Sequence, residues 1–332
     1  MPIKLADYDY SLPKDYIAQY PKEERDSSRL LVVDRDKKTI AHKKFKDIVN
    51  YFKKDDTLVL NNTKVLAARL FGIKKTGGKL EILLLNNKDN RRFECLIRPA
   101  RFKVGEEISF LGNGLKAALT ARNEIEFNTD DLEKIYAFGN VPLPPYIKRD
   151  AEESDKIRYQ TVYAEVDGSV ASPTAGLHFT EELLDKIKSK GVNVIYLTLH
   201  IGYATFKPIK SEDVEAHKMA EEYFQIPAQA QEILCRTRLK NGRIISVGTS
   251  STRALETAAL EGKLSGNTCL FIYPGFKFKA IDCLVTNFHL ARTTPFMLTA
   301  AFLGKGLIKE AYRQAIEEKY RFLSFGDSMF IA

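Results

Sequence analysis

Several common signals are missing from this chain of 332 residues, and each absence narrows what it can be. Its four cysteines, Cys95, Cys235, Cys269 and Cys283, form no C-x-x-C pair and stand at no zinc-ligand spacing with histidine. That argues against a disulfide framework, a zinc site and a radical-type iron–sulfur triplet, and the thiols read as reduced and mostly buried. No H-E-x-x-H occurs, so no protein-bound metal is expected. No apolar stretch approaches the roughly 18 residues that span a bilayer. The first ten residues are polar and acidic rather than signal-like, so the expected compartment is the cytoplasm. Internal repeats and low-complexity tracts are absent as well.

What remains is the make-up of a soluble globular protein, with 44% apolar and 28% charged residues. The length suits one large domain or two ordinary ones. A net charge of +8 and a pI near 9.1 favour a polyanionic partner. Basic residues gather with aromatics around 43–46, 98–103 and 273–279, which makes Arg98, Lys277 and Lys279 candidates for nucleic-acid phosphates. A solvated basic surface accounts for the same clusters equally well.

Residues 1–57 read as a mixture of loop and helix, with a short amphipathic helix at 45–52 and then a buried strand at 57–61. From 66 to 128 the segments become short and alternating. Strands are expected at 80–85, 93–97, 107–111, 115–121 and 124–127, with a hairpin turn at Gly112-Asn113-Gly114. That pattern predicts a small all-β barrel or sandwich. A short helix follows at 130–138. Val-Pro-Leu-Pro-Pro-Tyr-Ile at 141–147 can continue neither helix nor central strand and reads as a connection. From 159 onward strand and helix alternate. Helices are expected at 181–190, 228–241, 251–261 and 306–319, and strands at 192–199, 243–247, 270–272 and 283–286. The fold class is therefore an α/β main domain, 1–65 with 152–332, carrying an inserted β-barrel domain at 66–151.

The chemistry-bearing residues concentrate at strand ends, where α/β enzymes place reactive groups. Ser-Pro-Thr-Ala-Gly-Leu-His-Phe-Thr at 172–180 and Leu-Thr-Leu-His-Ile-Gly at 197–202 flank one helical segment and present Thr174, His178 and His200. Either histidine taken alone is more often a satisfied structural residue. Gly-Thr-Ser-Ser-Thr-Arg at 248–253 opens a helix after a strand, so Thr249, Ser250, Ser251 and Arg253 offer capping and an anion site. It is neither a G-x-S-x-G elbow nor a Rossmann fingerprint. Thr-Asn-Phe-His-Leu at 286–290 repeats the design with Asn287 and His289. The stretch 215–222 sets Glu215, Glu221 and Glu222 around His217. Gly77-Gly78-Lys79 lacks the spacing of a phosphate loop, and His42 reads as a surface residue. Residue types alone point to acid–base chemistry on an anionic substrate, without naming the reaction.

These strings together resemble the S-adenosylmethionine:tRNA ribosyltransferase-isomerases of queuosine biosynthesis. The likeness runs nearly end to end: 8–13, 17–21, 25–31, 60–65, 141–147, 158–164, 199–202, 248–256 and 286–290, with Pro-Thr-Ala-Gly-Leu-His-Phe at 173–179 the most specific string. Tyr203-Ala204 depart from the family's Gly-x-Gly-Thr-Phe form, and Ala291-Arg292-Thr293 replace its Pro-Lys-Ser. Lys64 stands where Arg is usual. Asn62 stands where Asp is usual, so that position is not taken as the general base.

The resemblance implies transfer and isomerisation of the ribosyl part of S-adenosylmethionine onto 7-aminomethyl-7-deazaguanine at the wobble position of tRNA with a GUN anticodon. It implies epoxyqueuosine as product, adenine and methionine as leaving groups, no permanently bound cofactor or metal, and an α/β domain with an inserted barrel. On that footing His178 and His289 are the expected acid–base pair, with His200 next. Gly248, Thr249, Ser250 and Ser251 would receive the methionine carboxylate with Arg253 assisting, and Glu165 or Glu215 would orient a histidine or face the sulfonium. A monomer that makes no membrane contact is expected. Two other classes stay open: a non-catalytic tRNA-binding protein, and a methyltransferase, although the Gly-rich first turn of the latter is missing.

Overall fold

The computed structural model describes residues 3–100, 102–110, 114–206 and 208–332, the side chain of Phe206 excepted. The chain divides into two compact units, one comprising Met1–Lys64, Pro145–Arg149 and Gln160–Ala332, the other Val65–Pro144 and Asp150–Tyr159.

The larger unit is built on a nine-stranded sheet in the order Ser265–Thr268, Glu222–Gln225, Asn193–Leu199, Thr57–Asn61, Ile244–Val247, Cys283–Asn287, Ser328–Ile331, Arg29–Asp34 and Thr39–Lys44. Four adjacent strands, from Asn193–Leu199 across to Cys283–Asn287, are parallel. Antiparallel pairings extend both flanks, apart from the parallel pairing of Ser328–Ile331 with Arg29–Asp34. Alternate residues of the central strands enter two separate cores. Val59, Ile195, Leu197, Ile244 and Leu284 pack on one face with the helices Ala228–Leu239, Gly248–Glu261, Thr294–Leu303 and Lys305–Glu317. Leu58, Leu60, Ile245, Val247 and Val285 pack on the other with Phe45, Phe52, Leu183 and Ile187. A sheet covered on both faces needs the near-continuous apolar runs that these strands carry. Helix Glu181–Ser189 starts where the Thr180 hydroxyl accepts from the Leu183 N–H at 3.1 Å.

The smaller unit is a closed barrel of six antiparallel strands, ordered Arg69–Lys74, Lys79–Asn87, Arg92–Arg98, Glu124–Phe127, Lys116–Ala121 and Glu107–Ser109, and closed where Ile73 pairs with Ser109. Leu70, Ile82, Leu84, Phe93, Ile108, Leu119 and Phe127 fill its interior, with Phe93 and Phe127 edge to face at 5.7 Å. Gly72 has to be glycine, because a Cβ there would stand 2.3 Å from the Ile108 side chain. The α/β architecture and the barrel agree with the pattern read from the sequence.

Two local expectations need correction. Residues before 57 contain a hairpin, Arg29–Asp34 with Thr39–Lys44, as well as 3₁₀ turns such as Phe45–Tyr51. Leu30, Leu31, Val32 and Val33 feed both cores in alternation, a run too short to separate from a helix by periodicity. Residues 270–272 are not a strand; the strand is Ser265–Thr268, and the loop after it hangs on Glu256, whose carboxylate accepts from the N–H groups of Lys279, Ala280 and Ile281. Of the hairpin expected at Gly112-Asn113-Gly114, the first two residues lie outside the described residues.

Candidate active site

The four parallel strands bring their carboxyl ends to one edge of the sheet. From Thr57–Asn61 the chain goes first to the neighbour on one side, Asn193–Leu199, and then to the neighbour on the other, Ile244–Val247. Such a reversal opens a crevice beyond the strand ends, where α/β proteins hold ligands. A cavity lies there, and its walls include Ser172, Thr174, Thr249, Ser250, Asn287 and His289.

One wall is the start of helix Gly248–Glu261. Gly248 sits at φ +85°, and no side chain caps the helix at Val247. The backbone N–H groups of the first turn therefore remain available to an anion. Ser250 accepts from the Asn61 amide at 3.1 Å, and that amide also donates to the Leu199 carbonyl, so two strand ends and the helix start are tied together. Ser251 turns away from the cavity and donates to the Val247 carbonyl at 2.8 Å.

A second wall is the end of Cys283–Asn287. Asn287 donates to the Leu323 carbonyl at 2.8 Å, which fixes the orientation of its amide. His289 is held by its backbone, whose N–H donates to the Tyr312 hydroxyl at 3.0 Å and whose carbonyl accepts from Tyr10. Its Nε2 meets the Thr286 hydroxyl at 2.8 Å. Burial pushes the pKa of His289 down to about 3, so the ring is neutral near pH 7.

The three expected histidines do not converge. His178 is buried behind the cavity wall, not in it: its Nδ1 meets Ser28 Oγ at 2.8 Å and its ring stacks on Phe45 at 4.9 Å. Burial lowers its pKa to about 4, an effect the Asn287 side chain opposes. His200 also stays out of the cavity, with Nδ1 against the Thr63 hydroxyl at 2.8 Å. Burial lowers its pKa, and Asp167 pulls the other way.

Arg253 reaches the cavity, but its guanidinium is already engaged. It pairs with buried Glu222 and donates to the Leu270 carbonyl at 3.0 Å. Glu222 in turn accepts from the Gly202 N–H at 2.7 Å. This pair braces the wall instead of receiving a free carboxylate, which corrects the expectation for Arg253. Glu165 and Glu215 are exposed and line no part of the cavity; Glu165 accepts from the Asn62 amide at 3.1 Å. Of the carboxylates in the stretch 215–222, Glu222 is the one that reaches the cavity wall. The signal was the alternation Glu222, Tyr223, Phe224, Gln225, which puts Glu222 on the buried face with Phe224. Arg98 is exposed on the barrel strand Arg92–Arg98, and Lys277 and Lys279 are exposed in the loop after Ser265–Thr268. Among the described residues no three His, Cys, Asp or Glu side chains cluster as a metal site, and no helix is long and apolar enough to cross a membrane.

The chain is similar to known proteins over nearly its whole length. A family model described as queuosine biosynthesis protein matches residues 5–331. A relative from Sulfurihydrogenibium sp. (strain YO3AOP1), S-adenosylmethionine:tRNA ribosyltransferase-isomerase, is 50% identical across 99% of this chain and 100% of its own. The crystal structure of S-adenosylmethionine tRNA ribosyltransferase from Thermotoga maritima matches with a TM-score of 0.59 and 37% identity, covering 98% of this chain and 100% of that one. With a cavity at the strand ends, a helix start open to an anion and a neutral histidine beside it, the chain belongs to the queuosine biosynthesis family of S-adenosylmethionine:tRNA ribosyltransferase-isomerases, and it is an enzyme.

Proposed function

We propose that this enzyme transfers the ribosyl part of S-adenosylmethionine to 7-aminomethyl-7-deazaguanine at the wobble position of tRNA with a GUN anticodon. The product is epoxyqueuosine in tRNA, with adenine and methionine released. The observation that carries the reading is the meeting of an uncapped helix start, Asn287 and neutral His289 at one cavity.

The methionine carboxylate of the substrate binds the N–H groups at Gly248, Thr249 and Ser250, with Thr174 on the facing wall. That places the sulfonium and the ribosyl 5′ carbon toward Asn287 and His289. The sulfonium acidifies the 5′ hydrogens. His289, with Nε2–H donated to Thr286, presents the Nδ1 lone pair as the base that removes one. Asn287 orients the ribosyl group. Adenine leaves, the neutral aminomethyl nitrogen attacks the sugar, and closure of the epoxide expels methionine. Burial keeps the His289 ring neutral near pH 7, which leaves one ring nitrogen free to accept a proton. His178 stays behind the wall, held by Ser28, instead of acting as a second acid.

Arg98, Lys277 and Lys279 are proposed to meet tRNA phosphates. No step above draws on a bound cofactor. A monomer in the cytoplasm is the form proposed for it. The inserted domain is assigned to 66–151.

The test is mass spectrometry of an anticodon stem-loop carrying aminomethyl-deazaguanine after incubation with the enzyme and S-adenosylmethionine. Gain of the epoxy-cyclopentanediol group, with adenine and methionine in solution, is expected. S-adenosylhomocysteine as the product would instead mean methyl transfer, and RNA binding with no mass change would mean a binding module.

A further inference from the structure

The strand Glu222–Gln225 has two faces with different work. Glu222 points inward to the cavity wall, and its neighbour Tyr223 points outward and is 43% exposed. Tyr223 does not stand alone. His200 lies against it, ring planes 25° apart and centroids 6.0 Å apart, and the two residues are joined by a hydrogen bond from the His200 N–H to the Tyr223 carbonyl at 3.0 Å. The His200 ring is fixed from two further directions. Its Nδ1 meets the Thr63 hydroxyl, which also bonds Ser169 at 2.7 Å. Gly168 at φ +148° lies so close that a Cβ there would stand 2.6 Å from the imidazole. The result is a rigid stack of Gly168 backbone, imidazole and phenol, in which Tyr223 has no second ring partner among the described residues.

We propose that Tyr223, braced by His200, is the platform on which an unpaired base of the tRNA substrate stacks. This rests on the reading given under "Proposed function". Three observations choose the occupant. Aromatic rings held rigid and half-exposed suit nucleobases, because every base offers a π face. The platform adjoins the cavity wall, since Ile201 and Glu222, the chain neighbours of His200 and Tyr223, both line the cavity from the other face. The nearby cation Lys64 is paired with Asp167 at 3.7 Å, and the Glu165 carboxylate accepts from the neutral Asn62 amide, so recognition here falls to the ring face and not to phosphate charge. His200 is a positioning residue in this arrangement and not a proton donor.

The chain contains no tryptophan, so Tyr223→Trp creates a single indole reporter at the platform. Its emission should be quenched by the anticodon stem-loop, whereas Leu239→Trp, 83% exposed at the end of a helix, should not respond. Tyr223→Ala should raise the KM for the stem-loop roughly tenfold or more, leave the Kd for S-adenosylmethionine unchanged, and be rescued by Tyr223→Phe. His200→Ala should raise the same KM less, without the change in the acidic limb of the pH profile that loss of a catalytic base would bring. Unchanged emission in Tyr223→Trp while gel retardation shows the stem-loop bound, or an unchanged KM in Tyr223→Ala, would overturn the platform alone. Failure of the wild-type enzyme to bind the stem-loop at all would overturn the tRNA reading and the platform with it.

Discussion

The two units differ most in what they bury. The barrel interior is apolar: among the described residues between 65 and 144 no buried side chain is polar or charged, and the buried Asp155 of the smaller unit lies in the separate segment Asp150–Tyr159. Its charges stand outside in surface pairs such as Lys75–Glu107 and Arg92–Asp89. The α/β unit buries Asn61, Asn62, Ser172, His178, Glu222, Ser250, Arg253, Thr286 and Asn287, all at or beside the carboxyl ends of its parallel strands. Buried polar groups are costly unless they are bonded, so their concentration at one edge marks where the fold trades stability for chemistry. The barrel makes no such trade.

That contrast can be broken at four points. The largest effect is expected at the cavity. His289→Asn should lower kcat about 10²- to 10⁴-fold with little change in the Kd for S-adenosylmethionine, measured by single-turnover kinetics and calorimetry. Next is the buried pair. Glu222→Ala leaves the Arg253 charge without its partner and should cost about 3–5 kcal/mol in urea unfolding, because both groups are almost wholly buried. Glu222→Gln should recover part of it by keeping the bond from Gly202.

In the barrel the same kind of loss should come from packing alone. Gly72→Ala forces a methyl group against Ile108 and should cost about 1–3 kcal/mol, with the Kd for S-adenosylmethionine unchanged, read by thermal unfolding and calorimetry on one sample. If Gly72→Ala abolished binding of the small substrate, the division of labour between the units would be wrong.

The smallest effect is expected from pH. The folded-state pKa values of His178 and His289 lie below the ordinary value near 6.5. Below that value the unfolded chain takes up protons that the folded chain refuses, so stability falls as pH drops from about 6.5 toward 4. For His178 the loss at pH 5 should be on the order of 1–2 kcal/mol. Tm measured at pH 7 and pH 5 should fall less in His178→Gln than in the wild type. An equal fall in both would remove His178 from the acid response.

Much of this was legible beforehand. The strand Thr57–Asn61 and the helix Glu181–Ser189 stand within a residue of where hydrophobic period and capping put them. The short alternating segments after 66 gave a barrel because period-two patterning with frequent turns allows little else. Histidines and hydroxyls at strand ends marked the right edge of the sheet. The sequence failed where partners are distant in the chain. Arg253 looked like a free cation at a helix start until Glu222, 31 residues earlier, took it. His178, expected as half of an acid–base pair, is enclosed by Ser28, 150 residues away, and the face of Phe45.

By itself, then, the sequence determined most of the elements after residue 57, their class and the edge of the sheet where polar residues collect, because propensity, period and capping act over a few residues. Only the tertiary structure decided which of those residues share a cavity. It turned His289 toward it, left His178 and His200 outside it, and set Glu222 and Tyr223 on opposite faces of one strand. The physical reason is that burial and pairing are made across strands, between residues that no local pattern relates.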